Sequence, residues 1–281
     1  MGSIAAIVIT YHPGPEMLAN IWSYLDQVDH LYIADNSFPK FSFSPDISDN
    51  PKITLIANGG NQGIAIRLNQ VADRAIAAGY DWLLTMDQDS YFDTEHIQAY
   101  FDYMKAYPGG DQVAMFGVET VEKQELIADL NEPVDRLITS GSLLNLRLYK
   151  EIGPFDENLF IDEVDHEYCY RAGLRGYPII QFTHIFLEHH LGESVEVKTL
   201  KGHQKTTSFH APIRIYYMVR NFLYVRAKYK EVFAKDLKLR GISLMHRIKN
   251  NALYGPHKWK TIAMLFTAVR DYKSGKMGKK S

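Results

Sequence analysis

Short apolar runs rich in β-branched residues alternate with amphipathic stretches through residues 4–86, and this alternation constrains the fold more than any other feature. Residues 4–9 read Ile-Ala-Ala-Ile-Val-Ile, and similar runs recur at 30–34, 53–57 and 81–86. Between them, residues 17–28 space Leu18, Ile21, Trp22 and Leu25 at helical intervals. Residues 62–78 place Ile64, Leu68, Val71, Ala72 and Ala75 on one face, with Gly79 at the C-terminal stop. Strands alternating with such helices predict βαβ units and a mostly parallel sheet of the α/β class. The runs are continuous rather than alternating because strands of such a sheet are buried on both faces.

In an open α/β sheet ligands sit beyond the carboxyl ends of the strands. The residues there are Thr10-Tyr11-His12, Asp35-Asn36-Ser37, Asn58-Gly59-Gly60-Asn61 and Asp87-Gln88-Asp89. Polar residues at strand ends are also ordinary loop chemistry, so none is a site by itself. Further along, the pattern predicts a helix over 95–106, a strand over 112–117 and a polar loop over 120–135. It continues with a small-residue turn at Thr139-Ser140-Gly141-Ser142, a short helix over 162–173 and a strand over 178–187. A helix over 211–230 follows, then more helix to about 272, broken near Gly255-Pro256, and a disordered Gly/Lys tail over 275–281.

Five segments can carry chemistry. Asp87 and Asp89 end a strand as two hard-oxygen donors, suited to Mg²⁺ or Mn²⁺ beside a diphosphate; a solvated turn is the plain alternative. The loop 58–63 opens a helix, where free amides favour anions and Asn61 suits a cap. It is not G-x-G-x-x-G, which argues against a dinucleotide dehydrogenase. Asp162-Glu163-Val164-Asp165-His166-Glu167 sets four acids in six residues. They offer a general base, or simply complement a helix N-terminus. His189-His190 follows a strand and offers metal ligands or a solvated pair. Arg214 and Arg220, among Tyr216, Tyr217 and Asn221, either pair with phosphate or line an aromatic core stripe.

Taken in order, IVITYHP, IADNS, NGGNQGIAIRLNQ, WLLTMDQDS, the stretch from TSGSLLNLRLYKEIG to VDHEYCYRAGLRGY, HHLG and IRIYYMVRNF resemble the family 2 inverting glycosyltransferases of the GT-A fold. The DQDS and VDHEYCYRA forms look most like bacterial rhamnosyltransferases using dTDP-L-rhamnose. The resemblance implies that Thr10 and Tyr11 line the nucleotide pocket and that Asp35 reads the base edge. It implies that Asn61 and Gly63 shape the donor site, that Arg67 faces the diphosphate, and that Asp87 contacts ribose or metal. Asp89 would be the main metal ligand, with His189 able to reach metal or diphosphate. Gly141 and Ser142 would lie beside the acceptor, and Asp165 would be the catalytic base. Val164 stands where that family usually has Glu, which leaves Asp162 and Glu163 open as alternatives for the base. The acceptor implied is a saccharide or lipid-linked saccharide in surface polysaccharide synthesis. A UDP-hexose or UDP-N-acetylhexosamine donor, or a non-catalytic nucleotide-sugar-binding protein, are the alternatives.

The charge is divided. Residues 1–225 hold 16 Lys+Arg and 30 Asp+Glu, a net of −14, whereas residues 226–281 hold 15 and 3, a net of +12. Since the resemblance runs from residue 4 to about 225, it implies a GT-A glycosyltransferase domain over 1–225, with the basic part a helical extension over 226–281 ending in a flexible tail. The extension would be either a solvated helix pair or a contact for anionic lipid headgroups. With a single cysteine, Cys169, no internal disulfide is possible. No secretory leader or membrane-length apolar stretch is apparent. The expected location is cytoplasmic, peripheral at the inner face of the plasma membrane, with no nucleic-acid partner.

Overall fold

The structure is a computed structural model describing residues 2–57, 60–120, 131–189, 194–198 and 204–280. The chain divides into two compact units: Met1–Asp156 with Asp165–His190, and Glu157–Val164 with Leu191–Ser281. The division expected at 225/226 falls inside the second unit, within a continuous helix described below.

The first unit runs β1 (Ile4–Thr10), α1 (Glu16–Leu25), β2 (His30–Asp35), α2 (Pro45–Ser48), β3 (Ile53–Ile56), α3 (Ile64–Ala77), β4 (Trp82–Asp87), β5 (Ser90–Phe92) and α4 (Thr94–Ala106). A 3₁₀ turn (Gly110–Gln112) leads to β6 (Met115–Thr120), β7 (Glu132–Pro133), β8 (Ser142–Asn145), α5 (Leu146–Ile152), α6 (Val164–Leu174) and β9 (Ile179–His189). The strands lie in the order β3-β2-β1-β4-β8-β6-β9-β5, with β7 paired to β9. The ladders of β1 with β2 and β4, β2 with β3, and β6 with β9 are parallel. The antiparallel pairings of β8, β5 and β7 are short.

β1 and β4 are buried almost throughout, which is why their runs are unbroken. Val8, Ile33, Leu84 and Met86 join Ile21 and Tyr24 of α1 and Phe101 of α4 in one core. Complete burial of such a side chain is worth about 1.5–3 kcal/mol. Phe116 and Phe182 stack across the β6–β9 ladder with centroids 5.5 Å apart. α4 starts where the Asp93 side chain accepts from the Glu95 amide at 2.9 Å.

Three local expectations need correction. The helix expected from 162 starts at Val164, because Asp162 and Glu163 have φ of 64° and 72° and cannot continue a right-handed helix. The strand expected from 112 starts at Met115, because residues 110–112 close a 3₁₀ turn after left-handed Gly109. α5 follows β8 directly and was not foreseen, although Asn145 marks it by accepting from the Leu148 amide at 3.1 Å.

The second unit holds a β10 (Ser194–Lys198) and β11 (Gln204–Ser208) hairpin, then α7 (Pro212–Tyr229), α8 (Ala234–Tyr254) and α9 (Lys258–Lys273). Ile215, Tyr216, Tyr217, Val219 and Ala268 form its core, with Phe160, Leu244, Ile248 and Met264 packed on them. The tail expected to be disordered is held instead. The Gly278 amide donates to the Asn158 carbonyl at 2.8 Å, and the Lys280 amide to the Tyr217 hydroxyl at 2.8 Å. Among the described residues no helix is long and apolar enough to cross a membrane.

Candidate functional site

Asp35 closes β2 and is almost fully buried. Its Oδ1 accepts from the Thr10 hydroxyl at 3.2 Å and the Ser37 amide at 2.9 Å, and its Oδ2 from the Phe41 amide at 2.8 Å. Burial alone would raise its pKa. The donors from Ser37, Phe41 and Thr10 outweigh that and hold the carboxyl below its ordinary value. The Ser37 hydroxyl in turn accepts from the His12 amide at 2.7 Å. The ends of β1 and β2 are therefore one fixed ledge. Thr10 faces inward, whereas the Tyr11 ring is 53% exposed.

Asn36 joins this ledge to the start of α3. Its Nδ2 donates to the Gly63 carbonyl at 3.2 Å, while its Oδ1 accepts from the Gln62 amide at 3.1 Å and Arg67 Nε at 2.9 Å. Arg67 lies on the buried side of α3 with no exposed surface. Its Nη2 donates to the carbonyls of Asp35 at 3.0 Å and Gly60 at 3.1 Å, and its Nη1 to Gln70 Oε1 at 2.9 Å. Arg67 was expected to face a diphosphate. Its guanidinium is instead spent inside the protein, which makes it a brace for the loop. The helix also starts later than an Asn61 cap implied. Asn61 Oδ1 accepts from the Gly63 amide at 3.0 Å, and Gly63 is the residue before the first turn, with φ 85° and ψ −177°. That conformation belongs to glycine. Asn58 and Gly59 lie outside the described residues.

β4 delivers Asp87, and Asp89 follows in the turn to β5; both side chains are partly exposed. Gln88 between them reaches back, its Oε1 accepting from the Tyr11 amide at 2.7 Å. The acidic turn is thereby tied to the end of β1. On the other side, the Asp87 amide donates to Ser140 Oγ at 3.1 Å, and the Gly141 amide to the Thr85 carbonyl at 2.8 Å. Gly141 has φ 76°, and a Cβ there would meet Val118 at 2.9 Å. The expected acceptor-side residues Gly141 and Ser142 thus sit against the acidic strand end, Ser142 buried with its hydroxyl donating to the Ile138 carbonyl at 2.6 Å. Among the described residues no group of three or more His, Cys, Asp or Glu could hold a metal. Two hard carboxylates can supply part of a Mg²⁺ or Mn²⁺ shell, and a diphosphate and water would complete it. His189 pairs through its backbone with Ser90, and its side chain, like His190, lies outside the described residues.

The acids of 162–167 separate by partner. Asp162 Oδ1 accepts from Arg214 Nη2 at 2.9 Å, and Glu163 pairs with Arg240. Glu167 is fully buried and pairs with Arg171 at 2.8 Å, whose other donors go to the carbonyls of Ile152, Gly153 and Pro154. Asp165 has no arginine or lysine partner among the described residues. Its Oδ1 accepts only the His166 amide, at 2.8 Å, with the His166 ring 3.8 Å away. α6, which carries it, is tied to the segment before β8 by the Leu137 amide and Cys169 Sγ at 3.4 Å. Burial pushes the Cys169 thiol up to about 12, with Asp165 and Glu167 adding to the rise, so it is no nucleophile.

Sequence reasoning passed over Asn36, Gln88 and Ser140 as site-building residues. Each sits beside a residue it did single out, and that adjacency was the available signal. Arg220, weighed as a phosphate ligand, lies buried over the rings of Tyr216 and Tyr217, so the aromatic-stripe alternative describes it.

A mostly parallel sheet whose strand ends gather a ledge, a helix start and an acidic turn is the architecture of the GT-A glycosyltransferases. Three solved structures share it. TarS of S. aureus superposes with TM-score 0.58 at 12% identity, over 97% of this chain and 49% of that one. TarS 1–349 in complex with UDP-GlcNAc gives 0.57 at 12%, over 96% and 80%. GalNAc-T7 with UDP, GalNAc and Mn²⁺ gives 0.58 at 10%, over 98% and 56%. This chain spans about half the length of the first. It belongs to glycosyl transferase family 2, which matches residues 5–153. It is also 28% identical over 242 residues to the dTDP-rhamnosyl transferase RfbF of Shigella flexneri, covering 80% of each chain.

Proposed function

We propose that this glycosyltransferase moves L-rhamnose from dTDP-L-rhamnose to a hydroxyl of a saccharide or lipid-linked saccharide, with inversion, and that Asp165 is the general base. The observation that carries the assignment of the base is the sorting of the acids. Asp162, Glu163 and Glu167 are each held by an arginine, and Asp165 is not. The donor rests on the similarity to the Shigella rhamnosyl transferase.

In this reading the Tyr11 ring offers its face to the base, and the Asp35 ledge and the Gly63 loop shape the nucleotide pocket. Asp87 and Asp89 would hold a divalent cation, which supplies positive charge against the leaving diphosphate. Asp165 takes the proton of the acceptor hydroxyl from about 3 Å. The hydroxyl oxygen bonds to the anomeric carbon, the bond from that carbon to the diphosphate oxygen breaks, and dTDP leaves with the electron pair. No covalent enzyme intermediate is needed, in keeping with the buried, raised Cys169 thiol.

The test is transfer with a panel of dTDP- and UDP-sugars, for wild type and Asp165→Asn. The expected result is dTDP-rhamnose turnover that falls by about 10²–10⁴ in the variant, with dTDP affinity retained. Full activity in Asp165→Asn would remove the base, and preference for a UDP-sugar would remove the donor.

A further inference from the structure

α8 carries a solvent side that none of the described residues of the second unit covers. With about 3.6 residues per turn, Leu237, Leu244, Ile248 and Asn251 face inward. Leu239, Ile242, Met245 and Leu253 share the opposite side and are exposed, Met245 by 65%. Lys235, Lys238 and Lys249 lie among them, exposed and without an ion-pair partner among the described residues. The only acid of α8, Asp236, lies off this side.

α9 repeats the pattern. Trp259 and Phe266, one above the other seven residues apart, are 84% and 74% exposed. The only acid of α9, Asp271, is buried; it accepts from the Tyr216 hydroxyl at 2.9 Å and from Arg270 Nη2 at 3.2 Å, so Arg270 is already paired and Lys273 is the cation that extends the stripe. A soluble surface scatters its large apolar residues singly. Here each helix lines them up between cations and excludes acids.

We propose that these faces of α8 and α9 are an interfacial membrane-docking surface for anionic phospholipid. The apolar side chains would enter the boundary between headgroups and acyl chains, and the lysines would reach up along their stems to the phosphates. Charge complementarity chooses the partner. A second copy meeting it through the same helices would bring another cationic face, whereas an anionic bilayer supplies the missing opposite charge together with an apolar layer for the exposed side chains. The proposal stands apart from the catalytic reading, since binding is measured without any sugar donor.

The test is co-sedimentation of the full chain with vesicles of phosphatidylcholine plus phosphatidylglycerol, against phosphatidylcholine alone, with tryptophan emission in parallel. Binding to the anionic vesicles with a blue shift that Trp259→Phe removes is the expected result. Each of Lys235→Gln, Lys238→Gln and Lys249→Gln should lower the partition coefficient about fivefold. The double variant Trp259→Ser/Phe266→Ser should release the protein while its thermal midpoint stays that of wild type, because both residues are exposed. Four outcomes would overturn the proposal: no binding to anionic vesicles, equal binding to neutral ones, binding unchanged in the double variant, or self-association abolished by that variant without lipid binding.

Discussion

Arg240 grips the carboxylate of Glu163 with both side chains nearly out of solvent, 9% and 10% exposed. Beside it Arg214 holds Asp162 at 2.9 Å, but with the arginine half exposed. Asn221 adds Nδ2 bonds to the carbonyls of Ile161 at 2.7 Å and Asp162 at 3.1 Å. Three side chains thus hold two consecutive acids in the left-handed region. Removing one partner of a buried pair strands the other charge, so Arg240→Met should cost about 3–5 kcal/mol. The exposed pair is screened, and Arg214→Met should cost about 1 kcal/mol or less. Urea unfolding midpoints with unchanged slopes measure both. Equal losses would contradict the assigned burial.

Arg67 should not tolerate lysine. A lysine ammonium lacks the planar fork that reaches Asn36, Asp35, Gly60 and Gln70 together. Arg67→Lys is expected to lose about 2–3 kcal/mol of stability by leaving buried acceptors unmet. It should also raise KM for the donor more than it lowers kcat. A kcat loss with unchanged KM would point to direct contact with the reacting group instead.

Metal affinity should depend on the nucleotide, since the protein offers only the two carboxylates of Asp87 and Asp89 within the described residues. Calorimetric titration of Mn²⁺ should give weak binding to the protein alone and at least about tenfold tighter binding with dTDP present, a coupling of the usual size. Asp89→Asn should abolish that enhancement. Tight Mn²⁺ binding without nucleotide would show a ligand set other than this pair.

The Asp35 carboxyl gives a pH signature. Its folded pKa is depressed, so its stabilising contribution is present above the unfolded value of about 3.9 and is lost as pH falls through the folded value. Asp35→Asn should therefore destabilise at neutral pH, because an amide nitrogen meets a donor from Ser37, Thr10 or Phe41. The gap to wild type should close in acid. A gap that is constant from neutral to strongly acidic pH would refute the charge-based account.

The strand–helix rhythm made the first half of the fold legible before any coordinates. Val8, Ile33 and Leu84 sit in the core because burial on both faces requires unbroken apolar strands. The positions beyond those strands were legible too, since topology fixes them. The roles of individual side chains there were not. The resemblance implied ligand contacts for Thr10 and Arg67, but a hydrogen bond across 25 residues to Asp35, or 31 to Asn36, turns their side chains inward. Asp162 and Glu163 stayed open beside Asp165 as the base. The return of α7 and α8, with Arg214 and Arg240, set those two apart from Asp165, and Arg171 within α6 took Glu167. The held tail was hidden for the same reason, its partners being Asn158 and Tyr217 far upstream.

α8 has two grips on opposite sides. Arg240 closes on Glu163, two residues before Asp165, and the Leu239–Ile242 side looks the other way. Glu163 is thus anchored from the inner side of α8 while the outer side stays open, so changes at Arg240 and changes on the Leu239–Ile242 side can be made independently on one helix.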